Sequence, residues 1–254
     1  MTVEHIGSVA LVRLSRPEKA NAMDTEITDT LLHALRSLGE TAVHALVLTG
    51  EGSNFSAGGD LETIRAMRDD AALRQHVLQA HQNLFWEMTR LPFPAVAAVN
   101  GPALGAGVTV ALLCDLVVIA EDAFLSDPRV SLGLLDGAGG LVMWPLLTSL
   151  SAAKEHLLLG DRVSGAEAHR IGLANRAVPA ADVLPEAMRL AQRLAALPPH
   201  ATRQARRLLN TQMIWGARIL HQCARAESQC FDTEEHRVLL DDLSRRVTTA
   251  PRAP

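Results

Sequence analysis

Cysteine is scarce: Cys114, Cys223 and Cys230 are the only three in 254 residues, and they are unevenly spaced. So few thiols build no disulfide framework; the fold must rest on its core, and the thiols read as reduced and packed. Charge of one sign is also lacking. A formal net charge of −4 argues against a chain-wide electrostatic partnership with nucleic acid or an anionic membrane. No uncharged apolar run is long enough to span a bilayer, so no membrane association is expected. MTVEHIGSVALV carries Glu4 and His5 where a secretory signal needs a basic and then an apolar stretch. A cytoplasmic location is expected.

Several catalytic signatures are missing as well. The ten histidines include no HExxH pair, and His221, Cys223, Cys230 and His236 have no recognised ligand spacing, so no metal is expected. No GxSxG elbow occurs: Ser56 in NFSAG has Asn54 where the first glycine belongs. There is no GxxxxGK[ST], and GAGGLV at 137–142 breaks GxGxxG at Val142, which removes two kinds of phosphate cradle. Arg203, Arg206 and Arg207 share one helical face, the single feature that suggests RNA. Three arginines so placed more often serve solvation or ion pairing, and no nucleic acid is expected.

What is present is an α/β pattern with 48% apolar residues, enough for a sizeable core. Val9 to Leu14 and the segment before it, divided by Gly7-Ser8, read as a strand hairpin. His44 to Thr49, Ala95 to Asn100, Leu116 to Ala120 and Leu173 to Val178 read as further strands. Asp24 is the N-cap of a helix that turns Ile27, Leu31, Leu35 and Leu38 inward and stops at Gly39. A long helix from Leu61 to Arg90 buries Val77, Leu84, Phe85 and Met88. After Pro179 the pattern is helical, over 185–197, 202–212 and 217–243, and the closing VTTAPRAP is expected to fray. Two parts follow: an α/β core over 1–180 that carries the site, and a helical region over 181–254.

Two glycine-bearing turns each join a strand to a helix: GEGSNFSAGGDLETI at 50–64 and VNGPALGAGVTVALL at 99–113. Small residues let a ligand approach the backbone, and a helix start offers N–H groups without internal partners. Two such starts facing each other would hold negative charge developing on one oxygen. The same glycines equally suit tight turns and close helix packing, and spacing alone does not separate the two readings.

At these residues the chain resembles the crotonase, or enoyl-CoA hydratase/isomerase, superfamily. The colinear segments are RPEKANAM at 16–23, NFSAGGDL at 54–61, AVNGPALGAG at 98–107, CDLVVIAEDAFLSDP at 114–128, GLLDGAGG at 133–140 and GDRVSGAEAHRIGLANRAVP at 160–179. The resemblance covers nearly the whole chain and weakens in the C-terminal helices. It implies a crotonase-like spiral of ββα units with a helical C-terminal region used in trimer assembly, commonly doubled to a hexamer. It also implies an acyl-CoA thioester as ligand, with coenzyme A as part of the substrate and no separate cofactor. The oxyanion donors fall on the N–H groups of Gly59 and Ala106. The adenine-binding turn falls on Lys19 to Met23, where Ala20 and Ala22 offer carbonyls and Arg16 and Lys19 stand near the phosphates. For those two cations a solvated surface charge is an equal alternative. Ala57, Gly59, Asp60 and Leu61 border the pantetheine arm.

The departures from the family pattern bear on the reaction. Where its hydratases carry two glutamates, this chain has Thr109 and Arg129, neither of which exchanges protons near neutral pH. A one-residue slip would bring Asp127 nearer the site. Asp136, in GLLDGAGG, is the acid that survives in the right neighbourhood. Beside Leu134 and Leu135 its pKa would rise, and it could shuttle a proton between C2 and C4 of an enolate. Alternatively it caps the helix beginning near Gly139 or bonds its own loop. The expectation is an acyl-CoA enzyme that stabilises a thioester enolate, with isomerisation favoured over hydration. A catalytically silent acyl-CoA-binding protein and a hydratase using Asp136 are the alternatives.

Overall fold

Gly7 sits at φ 63°, inside the two-residue turn that folds β1 (Thr2–Ile6) antiparallel onto β2 (Val9–Leu14). From β2 onward the main sheet is parallel. Its order is β1-β2-β3-β4-β6-β9, with β3 Ala45–Gly50, β4 Ala95–Val99, β6 Leu116–Ala120 and β9 Arg176–Val178. Every residue of β3 and β4 is buried, as expected for parallel strands covered on both faces and read in sequence as unbroken apolar runs. Fully buried leucines such as Leu46 and Leu48 each contribute about 1.5–3 kcal/mol. The computed structural model describes residues 1–249, so part of the closing segment expected to fray, residues 250–254, lies outside the described residues.

A second sheet, absent from the expected elements, is formed by β5 (Ala103–Leu104), β7 (Phe124–Ser126) and β8 (Val163–Ser164). An isolated bridge from Ser56 to Ala103 extends it, so one ladder runs Ser56, Ala103, Leu125, Val163. After β4 and again after β6 the chain lays a short strand in this sheet before its next helix. That repetition is the expected ββα spiral.

The helices are α1 (Thr25–Gly39), α2 (Leu61–Asp69), α3 (Ala71–Arg90), α4 (Ala106–Leu112), α5 (Gly140–Leu147), α6 (Leu150–Leu159), α7 (Gly165–Ile171) and α8 (Val183–Ala195). They continue with α9 (Pro199–Leu209), α10 (Thr211–Gly216), α11 (Leu220–Cys230) and α12 (Glu234–Thr249). Asp24 caps α1 as expected, accepting the Ile27 N–H. The single helix expected over Leu61–Arg90 is instead two. Asp70 adopts an extended ψ of 102° and its side chain accepts from the N–H groups of Ala72 and Leu73, restarting the helix one residue after α2 ends. The helix expected over 217–243 is likewise divided, by a turn at Phe231 to Thr233. The strand expected from Leu173 is confined to Arg176–Val178, because residues 173–175 are spent leaving α7. No described helix is long and apolar enough to cross a membrane.

The region after residue 180 is helical, but it does not stand apart from the core. α8 packs on β3, β4 and β6. Arg206, expected on an exposed basic face, is buried at 6% exposure. Its guanidinium donates to the carbonyls of Met88, Thr89 and Leu91 and to Asp115, so it satisfies the end of α3, where helical carbonyls lack partners.

Candidate active site

The two glycine turns are pressed against each other. A Cβ on Gly50 would collide with the Asn54 carbonyl, and one on Gly101 with the Ser53 carbonyl. Gly58, at φ 82°, would place a Cβ 2.6 Å from the Leu104 carbonyl oxygen, and Gly107 would place one 2.7 Å from the Ser56 Cβ. The close-packing reading therefore holds, and it is also what sets the two backbones side by side. Gly59 forms a parallel bridge with Met23, in which Met23 N–H donates to the Gly58 carbonyl and Asp60 N–H to the Met23 carbonyl. Strand alternation then turns the Gly59 N–H away from Met23. Ala106 is the first residue of α4, preceded by Gly105 at φ 46°, and its N–H has no place in the helical ladder. Among the described residues neither N–H is taken by another backbone group.

Beside Ala106 lies a small cavity of about 10 Å³, lined by Met23, His81, Leu84, Ala106, Thr109, Val110, Leu113 and Ala138. That is room for about one water. Ala106, Thr109, Val110 and Leu113 follow one face of α4 and its end, so the slot runs along that helix.

Thr109 and Arg129 meet here, as expected from their positions, but in a closed network. The Arg129 fork places Nε and Nη2 on Asp127 at 2.7 and 2.5 Å and Nη1 on Asp136 at 2.7 Å. Thr109 Oγ1 is 3.3 Å from Asp136 Oδ2, and Asp136 Oδ1 also accepts the Ala138 N–H at 2.6 Å. Asp136 thus bonds its own turn. The residue in the N-cap position of α5 is Gly139, and the N–H of Gly140, the first residue of that helix, also acts on the Asp136 carboxyl. Both aspartates are 3% exposed. Burial raises the Asp136 pKa, Arg129 opposes the rise, and Asp127 adds to it. Two carboxylates share one guanidinium, and Asp127 holds it by two bonds to Asp136's one, so a raised value for Asp136 is the physically consistent direction. Asp136 stands behind Thr109 and Ala138, which line the cavity.

Two groups in this neighbourhood carry no sequence motif. His81, on α3, lines the cavity, and its Nε2 is buried without a hydrogen-bond partner among the described residues. Burial, then the charge of Arg129, lower its pKa to about 4, leaving a neutral imidazole at neutral pH. The signal was its place at helical spacing between Val77 and Leu84, a titratable residue on an inward face. Glu227, on α11, is 6% exposed and accepts the Gly137 N–H at 2.8 Å. Burial pushes its pKa up to about 8, against Arg129 and with the help of Asp136. Nothing local in ARAESQC marks it, since a glutamate on an amphipathic helix is ordinarily solvated.

The residues expected at the coenzyme turn are adjacent, and their charges are already paired. Arg16 bonds Asp24 and lies 3.6 Å from Asp60; Lys19 lies 2.8 Å from Glu62 and 3.5 Å from Asp60. Asp60 is also the N-cap of α2, which Leu61 opens. The Ala20 carbonyl accepts the Ala57 N–H at 2.9 Å, and Ala22 is buried beside it. Ala20 and Asn21 are both left-handed, at φ 51° and 54°. Asn21 holds that turn in place, donating to the carbonyls of Glu51 and Asn54 while its own carbonyl accepts from Ser56 Oγ.

Comparison with known proteins shows the family. The enoyl-CoA hydratase/isomerase family profile matches residues 4–238. An enoyl-CoA hydratase/isomerase from Mycobacterium paratuberculosis superposes with a TM-score of 0.91 at 36% identity, covering 95% of this chain and 97% of that one. A monofunctional enoyl-CoA isomerase from M. smegmatis gives 0.72 at 31% identity, covering 84% and 93%. The 4-chlorobenzoyl coenzyme A dehalogenase-2 of an Arthrobacter species is 35% identical over 204 residues, 79% of this chain and 74% of that protein.

Proposed function

The chain belongs to the enoyl-CoA hydratase/isomerase family, and on that premise we propose that it moves a double bond within an acyl-CoA thioester through an enolate, without adding water. The observation that carries this reading is the pair of unengaged N–H groups at Gly59 and Ala106, the latter residue lining a cavity whose walls include His81 and no carboxylate. In a 3-enoyl thioester, loss of the C2 proton sends its electron pair toward the thioester oxygen, which the two N–H groups hold. Reprotonation at C4 restores the carbonyl and leaves the bond between C2 and C3. One proton carrier suffices for this. Asp136 and His81 are the candidates, His81 on the cavity wall and Asp136 one hydroxyl behind it at Thr109. Hydration by paired glutamates has no counterpart here, since Arg129 is committed to Asp127 and Asp136. Arg16, Lys19, Ala20, Ala22, Ala57, Asp60 and Leu61 would border the coenzyme, a phosphate competing with Glu62 for Lys19.

The test offers the protein 3-enoyl-CoA and crotonyl-CoA. Conversion of the former to the conjugated thioester is expected, with a loss of about 100-fold or more in kcat when His81→Gln and Asp136→Asn are combined. Rapid hydration of crotonyl-CoA that survives in that double variant would sink the assignment. A silent thioester-binding protein is the second reading, favoured by the committed Arg129 network; tight binding without turnover would establish it.

A trimer, or a dimer of trimers, is proposed from the surface. Leu150, Leu158 and Leu159 on α6, Leu208 and Leu209 on α9 and Trp215 on α10 are all more than half exposed, on helices connected through α5. So many large apolar groups mark an association face. Sedimentation is expected to show trimers or hexamers for the wild type and monomers for Leu209→Glu combined with Trp215→Glu.

A further inference from the structure

The stretch from Leu132 to Ala138 carries Asp136 and reaches the cavity at Ala138, and it is held from outside by the last two helices. His236 on α12 bonds the Leu132 carbonyl through Nδ1 at 2.7 Å. A Cβ on Gly133 would lie 3.0 Å from the His236 Cα. Leu134 packs with Ala224 and Phe231 in a small apolar cluster separate from the main core. At Gly137 the contact is polar: Glu227 accepts its N–H, and a Cβ there would collide with Glu227 Oε2 and approach the Ala224 Cα to 3.0 Å. The two N–H groups that follow Asp136 are therefore divided, Gly137 to Glu227 and Ala138 to Asp136 itself. We propose that Glu227 is a positioning residue: its carboxyl fixes the Asp136 turn against α11, so that the C-terminal region completes the active site in addition to any part in assembly.

This rests on the proposed isomerase reading. A buried carboxyl that lost the Gly137 N–H would free a glycine turn with no other polar anchor between Asp136 and Ala138. Thr109 and Ala138 would then shift with it at the cavity wall. Glu227 is also electrically coupled to the site. The groups acting on it are Arg129, Asp136 and Asp127 from the facing loop, and Cys223 and Cys230 on its own helix respond to it. With its pKa near 8 it is a neutral acid at neutral pH and becomes an added buried anion above that. Ionisation places a further negative charge beside Asp136, which pushes the Asp136 pKa further up.

The experiment compares Glu227→Gln with Glu227→Ala. Glutamine keeps an acceptor for the Gly137 N–H and cannot ionise. It is expected to retain kcat within about threefold below pH 7 and to flatten the alkaline limb of the wild-type pH profile. Alanine is expected to lower kcat at least tenfold, with KM nearly unchanged and cooperative unfolding retained. Wild-type kcat in the alanine variant, or equal losses in both variants with an unmoved pH profile, would overturn the proposal. A second readout needs no substrate. Because the folded pKa lies above that of a free glutamate, this group takes stability from the wild type as pH rises from about 5 to 8, a loss the glutamine variant lacks. The wild-type denaturant midpoint should fall relative to Glu227→Gln across that interval, and parallel midpoints would refute the buried acid. Should no acyl-CoA be turned over, the isomerase reading fails and with it the catalytic role of Glu227, while the midpoints still report whether the clamp exists.

Discussion

Ala106→Pro is expected to lower kcat/KM for the proposed isomerisation by about 100- to 1000-fold while leaving the fold intact, the usual effect of deleting one oxyanion donor. Side-chain changes at Ala106 cannot test a backbone N–H, but proline removes it. The position tolerates proline for a structural reason: Ala106 is the first residue of α4, where proline's fixed φ suits the helix and no intrahelical bond is lost. The preceding residue, restricted before most prolines, is Gly105, already in a conformation open to glycine. Thermal denaturation within a few degrees of wild type, together with the kinetic loss, identifies the N–H as the reagent. Undiminished kcat/KM would show that the thioester oxygen is not held there.

Arg129→Met is expected to cost about 3–5 kcal/mol of stability at neutral pH, because it strands Asp127 and Asp136 as buried carboxylates without their shared cation. The sign of its pH dependence follows from Asp136. Arg129 is the group that opposes the upward shift of that pKa, so its removal drives the folded value higher. An acid whose folded pKa is raised contributes stability that is present below its unfolded pKa of about 3.9 and is lost as pH rises through the folded value. The variant should therefore approach the wild type near pH 4 and fall away toward pH 7.5, as read from denaturant midpoints at the two values. Adding Asp136→Asn should recover part of the loss at pH 7.5. A difference independent of pH would mean that the guanidinium serves mainly by packing.

The elements that position the proposed oxyanion donors were legible because each has a local cause: the Gly7-Ser8 hairpin, the Asp24 cap and the two glycine turns ending at α2 and α4. The missed break at Asp70 had a local cause too, but a polar capping residue within a periodic run was outweighed by the run. Other features depend on encounters between distant segments. The 56–103–125–163 ladder rests on pairings of one or two residues, too short to carry a strand pattern. Glu227 meets Gly137 across 90 positions. The sequence presents Arg129 as a replaced catalytic position; that it neutralises the acid expected to replace the dyad follows from side-chain geometry. His81 stood in view on an inward helical face, but its unpartnered Nε2 is a property of the packed site.

The α3 helix carries His81 at its middle and ends on the guanidinium of Arg206, which also reaches Asp115 at the start of β6. Opening α9 alone would strip the last carbonyls of α3 and leave Asp115 unopposed, so these segments belong to one cooperative unfolding unit. Amide exchange at the end of α3 and along α9 should share a single opening free energy. A chain shortened at residue 180 would thus lose the lock on the helix that presents the imidazole, as well as the α9 and α10 part of the proposed assembly face.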